Sequence, residues 1–177
     1  MHIILDVDCV VADLVGALLE ITGKNNRELA SEYDWFEQYE DKEETRLTRK
    51  AMSNPNFWET LPLMPNAIEG VQYLRRQGHK IIWCTMPYEK CFGWVDMRRK
   101  WLENNFQSTE HQDIYIPTKD KWCVRGSCII DDRIDIVEAW EQNNPEGIGF
   151  VFQSELNIRS PRSLVTWETI MNSSFFH

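Results

Sequence analysis

Ile3-Ile4-Leu5-Asp6-Val7-Asp8-Cys9-Val10-Val11-Ala12-Asp13 is the stretch on which the reading of this chain turns. An apolar run of strand length ends abruptly in two carboxylates two positions apart, and a second apolar run, Leu14-Val15-Gly16-Ala17-Leu18-Leu19, reads as a helix. Two like charges beside a buried strand repel each other and lose hydration. Such a place is tolerable where a cation, hydrogen-bond donors or a raised pKa compensates. The rest of the sequence has to supply that compensation.

Working outward, four further runs have strand character: Lys80–Thr85, Ile114–Ile116, Ser127 into Asp131-Asp132, and Ile148–Phe152. Between them lie amphipathic patterns. Ala67, Ile68, Val71, Tyr73 and Leu74 fall at helical spacing, with Gly78 where a C-cap is expected. Trp94, Val95, Met97, Arg98, Trp101 and Leu102 mark a second helix, Ile134 to Trp140 a third, and Leu164 to Met171 a closing one. Strands alternating with helices of this length imply βαβ crossovers, so the expected fold is α/β: a Rossmann-like, mainly parallel sheet of about five strands.

One segment breaks the alternation. From Thr22 to about Pro65 charge and aromatics intermingle, first in Glu32–Tyr39 and then in the charged run Glu40–Lys50, before Asn54-Pro55-Asn56-Phe57-Trp58. Two or three short helices are expected here, inserted after the first strand and forming either a small cap or a solvated helical pair. The domain division is therefore a core of residues 1–16 and 66–177 and a helical insertion of 17–65.

Bulk properties narrow the function. A chain of 177 residues with 42% apolar side chains suits one domain with a modest insertion. A net charge of -9 argues against binding a nucleic-acid polymer or an anionic membrane, both of which call for a basic surface. No apolar run approaches the ~20 residues that span a bilayer. Five cysteines, with no signal-peptide pattern before the first strand, fit a reducing, cytoplasmic setting; their simplest role is as small buried hydrophobes. A monomer or homodimer is expected.

In a parallel α/β sheet, ligands bind outside the carboxyl ends of the strands, near the point where strand order reverses. Asp6 with Asp8, Thr85, and Asp131 with Asp132 all stand at such ends, and Lys121 lies in a connection leading to the same edge. Clustered carboxylates there suit Mg²⁺, which takes one or two carboxylates together with waters and phosphate oxygens. A hydroxyl and an ammonium beside it can hold the rest of a phosphoryl group, and a carboxylate in line with phosphorus can attack it. Each residue alone has a plainer use: Thr85 as the end of a strand, Lys121 as a surface lysine, Asp131-Asp132 as a helix N-cap, Asp13 as a capping residue. Their joint order is what points to a phosphoryl site.

The same residues resemble a family. Asp6-Val7-Asp8-Cys9-Val10 is similar to the Asp-x-Asp-x-(Thr/Val) signature of the haloacid-dehalogenase superfamily, with Thr85, Lys121 and Asp131-Asp132 following in that order. More narrowly, Val11-Ala12-Asp13, the segment Asn56–Ala67, Thr85-x-Pro87, Asp120-Lys121 and Ile130–Arg133 resemble the 5′(3′)-deoxyribonucleotidases. The resemblance implies a phosphomonoesterase acting on a nucleoside monophosphate through an aspartyl-phosphate. Asp6 would be nucleophile and Mg²⁺ ligand. Asp8 would be acid and then base, with its backbone carbonyl on the metal. Thr85 would bind phosphate, Lys121 would bridge nucleophile and phosphate, and Asp132 would ligate Mg²⁺ with Asp131 in support. Trp35 and Phe57 or Trp58 would come from the cap over the nucleoside. Two positions depart from the family pattern: Met86 stands where a serine is usual, and Lys90 matches a phosphate-side lysine only approximately. A sugar phosphate or another small phosphometabolite as substrate, and a non-catalytic phosphate-binding module, remain open on the residues alone.

Overall fold

Side-chain alternation along the inner strands decides the layers. In the computed structural model, which describes residues 1–23, 43–154, 156–158 and 160–177, six strands form one sheet. These are β1 (His2–Leu5), β2 (Lys80–Thr85), β3 (Ile114–Pro117), β4 (Cys128–Asp131), β5 (Ile148–Phe152) and β6 (Leu164–Val165). Ile3 and Leu5 of β1, Ile81 and Trp83 of β2, and Cys128 and Ile130 of β4 enter one core. Ile4, Ile82, Cys84 and Ile129 enter another on the opposite face. That is the two-residue period of a strand buried on both sides, and it explains why these runs read as continuously apolar.

Helices cover both faces. The larger core takes residues from α1 (Leu14–Thr22), α4 (Ala67–Arg76), α5 (Trp94–Phe106) and α7 (Trp167–Met171); the smaller takes Val137 and Trp140 of α6 (Ile134–Asn143). Gly70 of α4 lies so near the Trp167 ring that an added Cβ would come within 2.0 Å of it, so α4 and α7 meet there at a distance only glycine allows.

Strand order is β3-β2-β1-β4-β5-β6, with every neighbouring pair parallel. The chain leaves β1 in one direction, through β2 to β3, then returns to lay β4 against the other side of β1. The reversal of order thus falls between β1 and β4, whose carboxyl ends flank the crevice expected to hold a ligand.

Between α1 and α4 run α2 (Glu43–Met52) and α3 (Pro55–Glu59), and the boundary drawn at residue 17 lies inside α1. Trp58 of α3 donates from Nε1 to the Met52 carbonyl at 2.7 Å. α3 also lies on α5, through a Lys100–Glu59 ion pair at 2.5 Å, and just past its end the Leu61 carbonyl accepts from Trp101 Nε1 at 2.8 Å.

The parallel, Rossmann-like sheet is the expected one, with a sixth strand beyond the five read from the sequence. One expectation needs correction: the closing helix starts at Trp167 rather than Leu164. Leu164 and Val165 pair with Val151 and Phe152 instead. Thr166 then begins the helix with a capping box, its side chain accepting from the Thr169 amide while Thr169 bonds back to the Thr166 amide.

Candidate active site

The loop after β1 is wound tightly enough to aim both of its carboxylates. The Val7 carbonyl accepts from the amides of Val11 and Ala12, Cys9 sits at a φ of 60°, and the Asp6 amide bonds to the Ile130 carbonyl of β4. Asp13 caps α1, its Oδ1 accepting from the Gly16 amide at 2.9 Å. The loop is anchored from outside by the Asp13 amide on Pro62 and the Met64 amide on Val11. Asp6 and Asp8 are therefore fixed by backbone geometry as well as by their own contacts.

Around Asp6 the site is buried and ionic. Lys121, in a single 3₁₀ turn (Lys121–Cys123) before β4, is 3% exposed and places Nζ 2.7 Å from Asp6 Oδ1 and 2.7 Å from Asp131 Oδ2. Asp131 also accepts from the Arg133 amide at 2.9 Å, a turn ahead of α6; the helix N-cap anticipated for the pair is Arg133 instead, with no side-chain cap bond. Asp6, Asp131 and Asp132 each bring a carboxylate oxygen within 4.8 Å of the others. Three carboxylate oxygens gathered this closely are a hard-oxygen donor set of the kind that holds a divalent cation.

The titration behaviour follows from that crowding. Burial first, then repulsion from Asp131 and Asp8, push the Asp6 carboxyl up to about 7 against the pull of Lys121. Burial opposes the charge on Lys121, but Asp131 and Asp6 more than offset it and hold the ammonium above the ordinary lysine range. Thr85, fully buried at the end of β2, has a hydroxyl with no hydrogen-bond partner among the described residues. An orphaned buried hydroxyl beside the β1 edge is the kind of group that an oxyanion or ordered water would satisfy.

Asp8 lies in different surroundings. Its side chain stands apart from the three-carboxylate cluster, half-buried, with Oδ1 taking a hydrogen bond from Arg98 of α5. Arg98 lies wholly inside the protein against the rings of Trp58, Trp94 and Trp101. It was read as part of an amphipathic helix and not as a site residue. The available signal was its spacing: Trp94, Arg98 and Trp101 stand at i, i+4 and i+7, which puts a cation on an apolar stripe. Asn157 was missed as well. Buried between β4 and β5, it donates to the carbonyls of Asp132 and Phe152, both at 2.6 Å, and so fixes the backbone beneath the carboxylate pair.

A cavity of about 300 Å³ opens over these groups. Asp6, Asp8, Lys121 and Asp132 line its polar end, while Leu14, Leu18, Met52, Trp58, Met86 and Tyr88 line much of the remainder. Of the expected substrate contacts, Trp58 and Met86 are on the wall. Phe57 is not; it packs edge-on against Trp58 at 5.3 Å. Lys90 stands exposed in the turn after β2, and neither it nor the buried Thr85 is on the wall. Trp35 falls outside the described residues. Among those residues no helix is long and apolar enough to cross a membrane.

The family model described as 5′ nucleotidase, deoxy (pyrimidine), cytosolic type C matches residues 1–171. The chain belongs to that family. It is by descent a phosphoric monoester hydrolase of the 5′-nucleotidase kind, and a small-molecule nucleotide phosphate is the substrate type the family suggests. The mitochondrial 5′(3′)-deoxyribonucleotidase of Mus musculus is 25% identical over 191 aligned positions, covering 98% of this chain and 86% of that one. Its Homo sapiens counterpart is 26% identical over 196 positions, covering 98% and 83%. Among solved structures, one from Burkholderia xenovorans LB400 described as haloacid dehalogenase-like superposes with a TM-score of 0.58 at 10% identity, covering 98% of this chain and 96% of that one. A dehalogenase gives 0.53 at 9% identity, covering 96% and 89%. These two establish the haloacid-dehalogenase-like fold and nothing of the chemistry.

Proposed function

We propose that this nucleotidase hydrolyses nucleoside monophosphates through an aspartyl-phosphate, with Asp6 as nucleophile and Asp8 as proton carrier. One observation carries the reading: the two aspartates of one loop have been given separate environments, Asp6 in a buried ionic cluster with Lys121 and Asp8 on the cavity wall with a guanidinium partner. Lys121 on its Oδ1, and a divalent ion when bound, favour the ionised Asp6 that a nucleophile needs against the burial that raises its carboxyl, while Asp8 reaches the cavity as the acid–base group. Asp6 attacks phosphorus, and Asp8 gives a proton to the departing ester oxygen. Asp8 then takes a proton from the water that releases phosphate from Asp6. Lys121 keeps Asp6 oriented and meets phosphate charge as it spreads, with the orphaned Thr85 hydroxyl as a further donor.

Asp6, Asp131 and Asp132 fit Mg²⁺, with the backbone carbonyl of Asp8 as a fourth oxygen; bound there, the ion would neutralise phosphoryl oxygens. We assign residues 17–65 to a cap, with Trp58 as the ring facing a nucleobase. A cytoplasmic, reducing setting agrees with five cysteines of which none is in a disulfide.

A phosphate-release screen over deoxynucleoside and ribonucleoside monophosphates and sugar phosphates, with and without Mg²⁺, tests the proposal. Nucleotides should lead, the metal should be required, and Asp6→Asn should be inactive. Turnover that survives in Asp6→Asn overturns the mechanism, and a preference for sugar phosphates overturns the substrate.

A further inference from the structure

Arg98 is 0% exposed, and its guanidinium carbon lies 5.2 Å from the ring centre of Trp58, 5.3 Å from Trp101 and 5.8 Å from Trp94. Its Nε and one terminal nitrogen are buried without a hydrogen-bond partner among the described residues, and the other terminal nitrogen donates to Asp8 Oδ1. A buried guanidinium with two unsatisfied nitrogens is a poor device for stability, since an apolar side chain would fill the same box without losing hydration. It is a good device for holding something else still. Three ring faces fix the plane of the guanidinium through cation–π attraction while offering no acceptor that competes for its N–H groups. The box itself is anchored, because Trp101 and Trp58 each donate their indole N–H to a backbone carbonyl.

We propose that Arg98 is a positioning residue for proton transfer: held in the tryptophan box, it ties down Oδ1 of Asp8 so that Oδ2 is presented to the ester oxygen of the substrate in the cavity. The inference rests on the reading above that Asp8 moves protons. As the P–O bond to the leaving group breaks, the proton on Asp8 passes to that oxygen, and Asp8 is left ionised to accept a proton from the attacking water. Trp58 belongs to both the box and the cavity wall, so a substrate pressed against it bears on the same assembly.

A leaving group that needs no proton separates this role from a structural one. Arg98→Met fills the box without the charge and should be compared with wild type on a deoxynucleoside monophosphate and on para-nitrophenyl phosphate, both in Mg²⁺. The ratio kcat/KM ends at formation of the aspartyl-phosphate, so it should fall about 10²-fold for the nucleotide and less than about fivefold for the aryl ester. Equal losses on the two esters, or no loss on either, overturn the proposal. If Arg98→Met does not fold, Arg98→Lys, which keeps a charge but not the planar fork, is read by the same inequality. A crystal structure of whichever variant folds supplies a readout independent of turnover: Asp8 should leave its present rotamer, and an unmoved Asp8 overturns the positioning role. Wild-type protein that cleaves neither ester defeats the functional reading instead, and the Asp8 rotamer still decides the role of Arg98.

Discussion

Asp6 and Asp8 stand two residues apart in one loop, and the protein treats them in opposite ways. Asp6 is sunk among Lys121, Asp131 and Asp132, where every important neighbour is charged and comes from the end or approach of a parallel strand. Asp8 faces the cavity, half-exposed, and its partner is an arginine held by tryptophans from the helical side of the molecule. The first environment is assembled by the sheet, the second by α3 and α5 packing on each other. The difference teaches that one short motif can hold two chemical roles because two different structural layers reach it.

The largest expected effect tests the Asp6 side. Asp6→Asn should lower turnover by at least about 10³-fold, measured by phosphate release. Its metal-free melting temperature should not fall, because the change removes one of three crowded carboxylates while Lys121 keeps Asp131. A collapse of the fold would mean that Asp6 is structural and would erase the contrast with Asp8.

Next in size is Lys121→Met, which leaves buried carboxylates without their counter-charge. Breaking a buried pair by removing one partner costs roughly 3–5 kcal/mol, to be read by urea unfolding without metal. Added Mg²⁺ provides the complementary measurement. At about 100 times its dissociation constant it should stabilise the wild type by about 2.7 kcal/mol, and Asp132→Asn should lose most of that gain. An equal gain in Asp132→Asn would move the metal away from the three-carboxylate cluster.

The smallest effect comes from the opposite edge of the sheet and calibrates the others. His79 is buried just before β2 beside the Phe176 carbonyl and the N-terminal amine. Burial holds its pKa below the ordinary 6.5, so the unfolded chain binds more protons around that pH. His79 should therefore contribute a part that rises with pH through that window, against the opposite slope from the raised Asp6 carboxyl, and His79→Gln should remove it, read as the difference in slope between the variant and the wild type. A slope unchanged in that variant would assign the dependence to other groups.

Much of the Asp6 side was legible in the sequence. Asp6, Thr85 and Asp131-Asp132 each end an apolar run, and parallel strands carry all such ends to one edge. Lys121 was placed by the connection it lies in, although its burial was not visible. Arg98 was harder, because a charge inside a helical apolar stripe does not say which aspartate it meets across the chain. Nor could a five-residue helix such as α3 tell whether Phe57 or Trp58 faces the cavity; its seat on α5 turns Trp58 inward. The sixth strand escaped for a related reason, since Leu164-Val165 becomes a strand only by pairing with Val151 and Phe152.

The sequence by itself determined the parallel sheet, the edge at which chemistry is possible and the residue types gathered there. Hydrophobic periodicity and abrupt strand ends are local properties, and the crossover rule turns them into a shared location. Only the tertiary structure decided which charge answers which. Partner choice among buried charges depends on distances of a few ångströms between segments far apart in the chain, and those distances are set by how helices and sheet pack.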